Sequence, residues 1–223
     1  MTEGDRGVAG ILGGGIAPAD LERARRAAAA ALSPRRFEHV VRVVETARGL
    51  ALRHGVDPLR VELAAWLHDL ARERPAEELV AAARRGGWVL DAAERADPLL
   101  LHGPVAAWEA ARRGLARDPD VLEAVRWHTT ARPGLGPVGC IVFLADKLEP
   151  ARDYPGVDAL RRLAAQDVDG AMAAVLDDLI RHCLDRGYWL PAVTVAARNH
   201  WRQRRPLSGT SAGAGTGPPM PKS

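Results

Sequence analysis

Cysteine is scarce in this chain: 223 residues carry two, Cys140 and Cys183. Two thiols in apolar helical patterns exclude a disulfide framework and read as buried cysteines of a reducing compartment. Lysine is as rare, at Lys147 and Lys222, so nearly every cation is arginine. The arginines are scattered among Asp and Glu with a net charge of +3, which reads as solvated helix faces rather than a surface for specific nucleic acid. Aromatics make up only 4%, so alanine and leucine supply most of the packing, which suits helices. No run of about 18 apolar residues occurs, so no membrane span is expected. The Gly-rich stretch from Gly10 to Gly15 has no basic segment before it and is not a secretory signal, leaving the cytoplasm as the expected location. A P-loop signature is absent, and no cysteine lies near a histidine patch, which argues against a covalent cysteine nucleophile.

What is present is helical punctuation. Hydrophobic residues at 47% and charged residues at 26% describe an ordinary globular chain, long enough for one sizeable core. Residues 1–17 are Gly-rich and 206–223 Pro/Gly/Ser-rich, and both read as disordered tails around one domain over 18–205. Within it the spacing predicts an all-α bundle of about nine helices. A first helix runs from Ala19 to Leu32, and Ser33-Pro34 opens a second that stops at Gly55. Asp57-Pro58 opens one through about Ala71, and Pro75 to Arg85 is another. Further helices span Pro104 to Arg113, Asp118 to His128, Pro137 to Leu148, Val157 to Ala165, Val168 to Arg186 and Val193 to Arg204.

Five short patches hold nearly all the acid, base and metal-ligand chemistry. They are Arg36-Phe37-Glu38-His39, His68-Asp69, His102-Gly103, His128-Thr129-Thr130 and Asp146-Lys147-Leu148-Glu149-Pro150. His68-Asp69 lies inside the apolar stretch Leu63 to Ala71, where buried polar groups need partners or a metal. Adjacent residues on a helix point about 100° apart, so both engage one metal only near a helix end or through opposite rotamers. Asp146 ends another apolar run, and a salt bridge to the adjacent Lys147 is not expected because neighbouring helical side chains diverge. His102 precedes a helix N-terminus, which favours anions. Thr129, Thr130 and Arg132 beside His128 suit oxyanion contacts, and Arg152 suits a phosphate clamp. Imidazole and carboxylate without cysteine suit Fe, Mn, Co or Zn. A metal-dependent hydrolase leads. A non-catalytic metal-bearing module that binds RNA or protein stays open.

In this order the patches resemble the HD-domain superfamily of metal-dependent phosphohydrolases. The motifs Trp66-Leu67-His68-Asp69-Leu70-Ala71-Arg72 and Ala145-Asp146-Lys147-Leu148-Glu149-Pro150-Ala151-Arg152 are similar to the YqeK-type branch, as is Ala196-Ala197-Arg198-Asn199. The resemblance covers roughly residues 19–204. It implies a symmetrical bis(5′-nucleosyl)-tetraphosphatase, in which metal-activated water splits diadenosine tetraphosphate into two ADP. Another nucleotide or a cyclic phosphodiester is the alternative substrate. The resemblance implies iron first, with manganese or cobalt as substitutes. It implies His39, His68, Asp69 and Asp146 as metal ligands, and Arg36, His102, His128 and Arg152 as phosphate contacts. His102, His128 and Asp69 would be the catalytic set, and His102 with His128 could instead hold a second metal. Asp146 also borders the substrate. The segment from Trp189 to Thr194 would line the nucleoside end. A homodimer is compatible with this reading. One departure is Ala131, where the family usually has Gly; if that position requires φ > 0, the turn carrying Arg132 is strained by about 1 kcal/mol. His54, His182 and His200 are expected to be packing or surface residues.

Overall fold

The computed structural model describes residues 15–204. The two expected tails therefore lie almost wholly outside the described residues. Every regular element among the described residues is helical, in the order α1 Pro18–Ala31, α2 Pro34–His54, α3 Pro58–Leu67, α4 Ala76–Arg85, α5 Ala92–Ala96, a 3-10 turn Pro98–Leu101, α6 His102–Arg112, α7 Pro119–Trp127, α8 Pro137–Leu148, α9 Val157–Gln166, α10 Val168–Arg186 and α11 Ala192–Arg204. The all-α expectation stands, with eleven α-helices among the described residues, the ten spans named from the sequence plus α5.

The helix starts follow the local chemistry. Ser33 Oγ accepts from Arg36 N, and the carboxylates of Asp57 and Asp118 each accept from the first-turn amides of α3 and α7. Each is followed by proline, whose missing N–H costs nothing in the first turn. Gly55 at φ 67 ends α2 in the left-handed conformation that favours glycine. The unforeseen α5 is only five residues long, too short for periodicity, and its one local mark is the Asp91/Glu94 capping box.

The helix opened by Asp57-Pro58 stops at Leu67, four residues before its expected end at Ala71. His68 Nδ1–H donates to Ala65 O at 2.7 Å, occupying the carbonyl that a continuing helix would offer to Asp69 N. The backbone then proceeds in tighter turns, with Leu70 N on Leu67 O and Arg72 N on Asp69 O.

Helix α8 is apolar all round because it belongs to two cores. Val138, Ile141, Val142 and Ala145 face a core built with α1 to α4, α6 and α7, while Cys140, Phe143, Leu144 and Leu148 face a second with α9 to α11. No described helix is long and apolar enough to cross a membrane.

Candidate metal centre

Five helices deliver six polar side chains to one buried point. His39 comes from α2, His68 and Asp69 from the end of α3, His102 from the first position of α6, His128 from the end of α7 and Asp146 from the last turn of α8. All six are at most 5% exposed, which for two carboxylates demands compensation. Three helices therefore end at or close to the cluster, and their carbonyl-rich C-termini favour a cation there. Gly103 allows α6 to approach α7: a Cβ at Gly103 would lie 2.8 Å from Arg126 O, a backbone atom.

The histidines are oriented by one repeated device. His68, His102 and His128 each donate Nδ1–H to the carbonyl three residues earlier, Ala65, Leu99 and Val125, at 2.7, 2.6 and 2.8 Å. This fixes the tautomer and turns each Nε2 lone pair inward. His39 donates Nδ1–H to Glu149 Oε1 at 3.2 Å instead. Its Nε2 lies 3.1 Å from Asp146 Oδ1 and 3.7 Å from Asp69 Oδ2. Around Asp69 stand His68, His102 and His128 Nε2 at 3.2, 3.4 and 3.7 Å. His102 and His128 Nε2 face each other at 2.9 Å, and Thr129 Oγ1 lies within 3.2 Å of both.

Imidazole nitrogens thus confront carboxylate oxygens. His39 Nε2, His68 Nε2 and both oxygens of Asp69 are buried without a hydrogen-bond partner. Burial alone would raise Asp69 and Asp146, but His68 beside Asp69 and Lys147 beside Asp146 hold both well below the usual carboxylate range. Burial pushes His128 down to about 3, so it stays neutral, whereas at His68 the neighbouring Asp69 outweighs burial and raises the pKa, so a metal there would displace a proton. Neutral imidazoles and ionised carboxylates are the donor forms a metal takes. Two overlapping triads, His39–His68–Asp146 and His68–Asp69–His128, have ligand atoms within 4.8 Å of one another. The residues fit a divalent transition metal.

The cationic residues fall into two groups. Arg36 Nη2 reaches Asp69 Oδ2 at 2.6 Å, and Arg152 Nη2 reaches Asp146 Oδ1 at 2.9 Å. Against expectation, Lys147 Nζ also contacts Asp146, at 2.5 Å from Oδ2. Lys147 is long enough to fold back over the end of α8, where its ammonium also donates to His128 O at 3.3 Å. Arg132 is drawn away: it pairs with Glu123, and Thr130 Oγ1 bonds Ala131 O. Ala131 is the one non-glycine with positive φ among the described residues, at 56°. Trp189 is exposed and Thr194 is buried, and neither shares a hydrogen bond, ion pair or ring contact with the cluster. His54 bonds Ala164 O, and His182 and His200 pack on Tyr188 and Trp201.

Glu149 is a member that the sequence reading left without a role. It is 2% exposed and holds His39 Nδ1 through one oxygen, with Arg42 Nε at 2.7 Å and Ala151 N at 2.8 Å on the other. Its mark in the sequence is a carboxylate wedged between an apolar helix and Pro150. Arg161 secures the same loop from α9, donating to Leu148, Glu149 and Arg152 carbonyls within 2.9 Å.

Comparison with known proteins agrees with this geometry. The HD domain family profile matches residues 36–151, which include His39, His68-Asp69 and Asp146. This chain belongs to the HD domain family. A Bacillus subtilis relative of this HD-domain protein, named bis(5′-nucleosyl)-tetraphosphatase, symmetrical, is 39% identical over 63% of this chain and 75% of its own. One of the same name from Halalkalibacterium halodurans is 36% identical over 75% and 89%. The crystal structure of a "predicted HD superfamily hydrolase involved in NAD metabolism" from Clostridium acetobutylicum superposes with a TM-score of 0.79 at 30% identity, covering 82% of this HD-domain chain and 97% of that one.

Proposed function

We propose that this HD-domain protein is a metal-dependent hydrolase that splits a dinucleoside tetraphosphate symmetrically into two nucleoside diphosphates, so that diadenosine tetraphosphate yields two ADP. The observation that carries the reading is the convergence of four histidine Nε2 atoms and two ionised buried carboxylates beside an arginine-lined groove. In this reading His39, His68, Asp69 and Asp146 hold the metal. Glu149, Ala65 O, Leu99 O and Val125 O set the imidazole tautomers. The N/O donor set without sulfur suits iron, with manganese or cobalt as substitutes. Bound there, such a metal polarises a phosphoryl oxygen and lowers the pKa of a water.

The groove, of about 610 Å³, is lined by Arg35, Arg36, Arg42, Arg72 and Arg152 around His39. Burial and the neighbouring Arg36 pull the Arg72 guanidinium below its usual range. A polyphosphate chain relieves that repulsion, and guanidinium forks match its oxygens. Arg36 and Arg152, each already on a cluster carboxylate, are placed to bind phosphates next to it. His102 and His128, with facing Nε2 atoms 2.9 Å apart, are placed to contact the leaving phosphate. The free thiols Cys140 and Cys183 suit the cytoplasm as its location.

The test is product analysis of the metal-replete protein with diadenosine tetraphosphate. ADP as sole product supports the reading. Orthophosphate, AMP with ATP, or activity confined to a cyclic phosphodiester would overturn it.

A further inference from the structure

Tryptophans gather on one outer wall of the molecule. Trp88 follows α4, Trp108 lies on α6 and Trp127 ends α7. Each packs its inner side on a core and keeps part of its surface in solvent. Two arginines join the rings into one ladder. Arg112 Cζ lies 4.6 Å from the Trp108 centroid, and Trp108 meets Trp88 edge to face at 6.3 Å. Arg126 Cζ lies 5.6 Å from the Trp88 centroid and 5.1 Å from that of Trp127. The turn before Trp88 holds it in place. Gly87 at φ 71 lets Trp88 N return to Ala83 O at 3.1 Å, and a Cβ at Gly86 would lie 2.9 Å from the indole. The wall is also basic. Arg84 and Arg85 end α4, and Arg113 follows Arg112 at the end of α6. The nearby acids are engaged elsewhere: Glu109 by Arg74, Glu123 by Arg132 and Asp118 by Arg60, while Asp91 and Glu94 cap α5. Among the described residues Arg84, Arg85, Arg112, Arg113 and Arg126 are left without a carboxylate partner.

We infer that this wall is a stacking platform for single-stranded RNA, bound without regard to sequence. A guanidinium lying over an indole can stack a base on its outer plane while its N–H groups take phosphate oxygens. Every base has a π-face, so such a ladder of rings and guanidiniums accepts any sequence. Arg84, Arg85 and Arg113 neutralise the phosphates that run beside the stacked bases. A duplex hides its base faces and meets only the charges. An acidic protein segment likewise offers carboxylates but no base to stack. None of the ladder residues lines the arginine groove beside the metal centre, so the inference stands apart from the proposed reaction.

The experiment is fluorescence anisotropy of labelled oligoadenylate on the full-length, metal-replete protein, with an adenylate–uridylate duplex and polyglutamate as competitors. The variants are Trp108→Ala, the pair Arg112→Gln with Arg126→Gln, and Arg35→Gln in the groove. The wild type is expected to prefer the single strand over both competitors by roughly tenfold or more. Trp108→Ala is expected to weaken the strand roughly tenfold. The double arginine variant is expected to weaken it too, and to flatten the slope of log affinity against log salt by roughly 0.7 for each arginine lost. Arg35→Gln is expected to leave the affinity unchanged. Absence of binding by the wild type at low salt overturns the platform. So does equal competition by the duplex or by polyglutamate, which would reduce the wall to a charged surface or an acidic-protein site. A larger loss in Arg35→Gln than in the double variant places the strand in the groove and overturns it as well. The double variant changes only surface charge and carries the test if Trp108→Ala does not fold; an unchanged melting temperature shows that its fold is kept.

Discussion

At Ala131 three residue-scale effects nearly cancel. A non-glycine residue at φ 56 costs about 1–2 kcal/mol, which glycine would recover. Its methyl is fully buried, however, and losing it costs about 0.8 kcal/mol. Glycine also frees the unfolded chain by about 0.4–1 kcal/mol. Ala131→Gly should therefore change stability by less than about 1 kcal/mol. Ala106→Gly, equally buried but inside α6, removes a methyl and adds a helix penalty, and should cost about 2 kcal/mol. Denaturant midpoints of the two variants check the contrast, and equal losses would mean that Ala131 carries no strain. Glu149 makes a different residue-scale prediction. Glu149→Gln leaves an acceptor for His39 Nδ1–H but removes the charge that orients and strengthens the imidazole. Metal affinity should fall roughly 10–100-fold, with activity recovering as metal is raised. Asp146→Ala should lose metal and activity together, and retained activity would remove Asp146 from the metal set.

Helix α11 is held to α10 by charge as well as by the apolar packing of Ala197 and Trp201. Asp177, 8% exposed on α10, receives Arg198 Nε at 2.7 Å and the Arg202 guanidinium, both from α11. Burial would raise its carboxyl, but the Arg202 and Arg198 hydrogen bonds outweigh this and hold it below the usual range. A depressed carboxyl contributes stability in full above its unfolded pKa, and this is lost as pH falls through the folded value. The wild type should thus lose melting temperature below about pH 4 by an amount absent in Asp177→Asn, which at neutral pH should already be about 1–3 kcal/mol less stable. Parallel pH curves for the two proteins would contradict this. The same scale explains what could be read from residue order. Helix starts at Ser33, Asp57 and Asp118 were legible because cap and proline are local chemistry. The five patches were legible because polar residues in apolar runs are anomalies. The early end of α3 was not, because it depends on an imidazole taking the Ala65 carbonyl, a choice imposed by what lies beyond His68 in space. Lys147 on Asp146 was missed for the converse reason: a long side chain at a helix end is not bound by helical divergence. Glu149 had a visible signal, but its partner His39 lies 110 residues away. Only the packing of α2 on α8 brings them together.

At the scale of the molecule, the two cores share α8 and neither needs the cluster for its apolar packing. Leu67, Val105, Ile141 and Phe143 bury their side chains whether or not an ion binds. The cluster itself sets six polar side chains against one another, with Arg36, Lys147 and Arg152 relieving only part of that conflict. A metal that binds the folded chain alone then adds stability by mass action, about 2.7 kcal/mol at a free concentration of 100 times its Kd. For a domain of this size each kcal/mol moves Tm by roughly 2–4 °C, so chelation should lower Tm by roughly 5–10 °C. The far-UV circular dichroism of the chelated protein should remain that of a helical bundle, because the apolar packing is intact. Readdition of the metal should restore the higher Tm. In Asp146→Ala chelation should move Tm little, since the donor set is already broken. A wild type whose melting ignores both chelation and readdition would show that the six side chains converge without binding an ion. Loss of the helical signal on chelation would instead show that the metal holds the two cores together across α8.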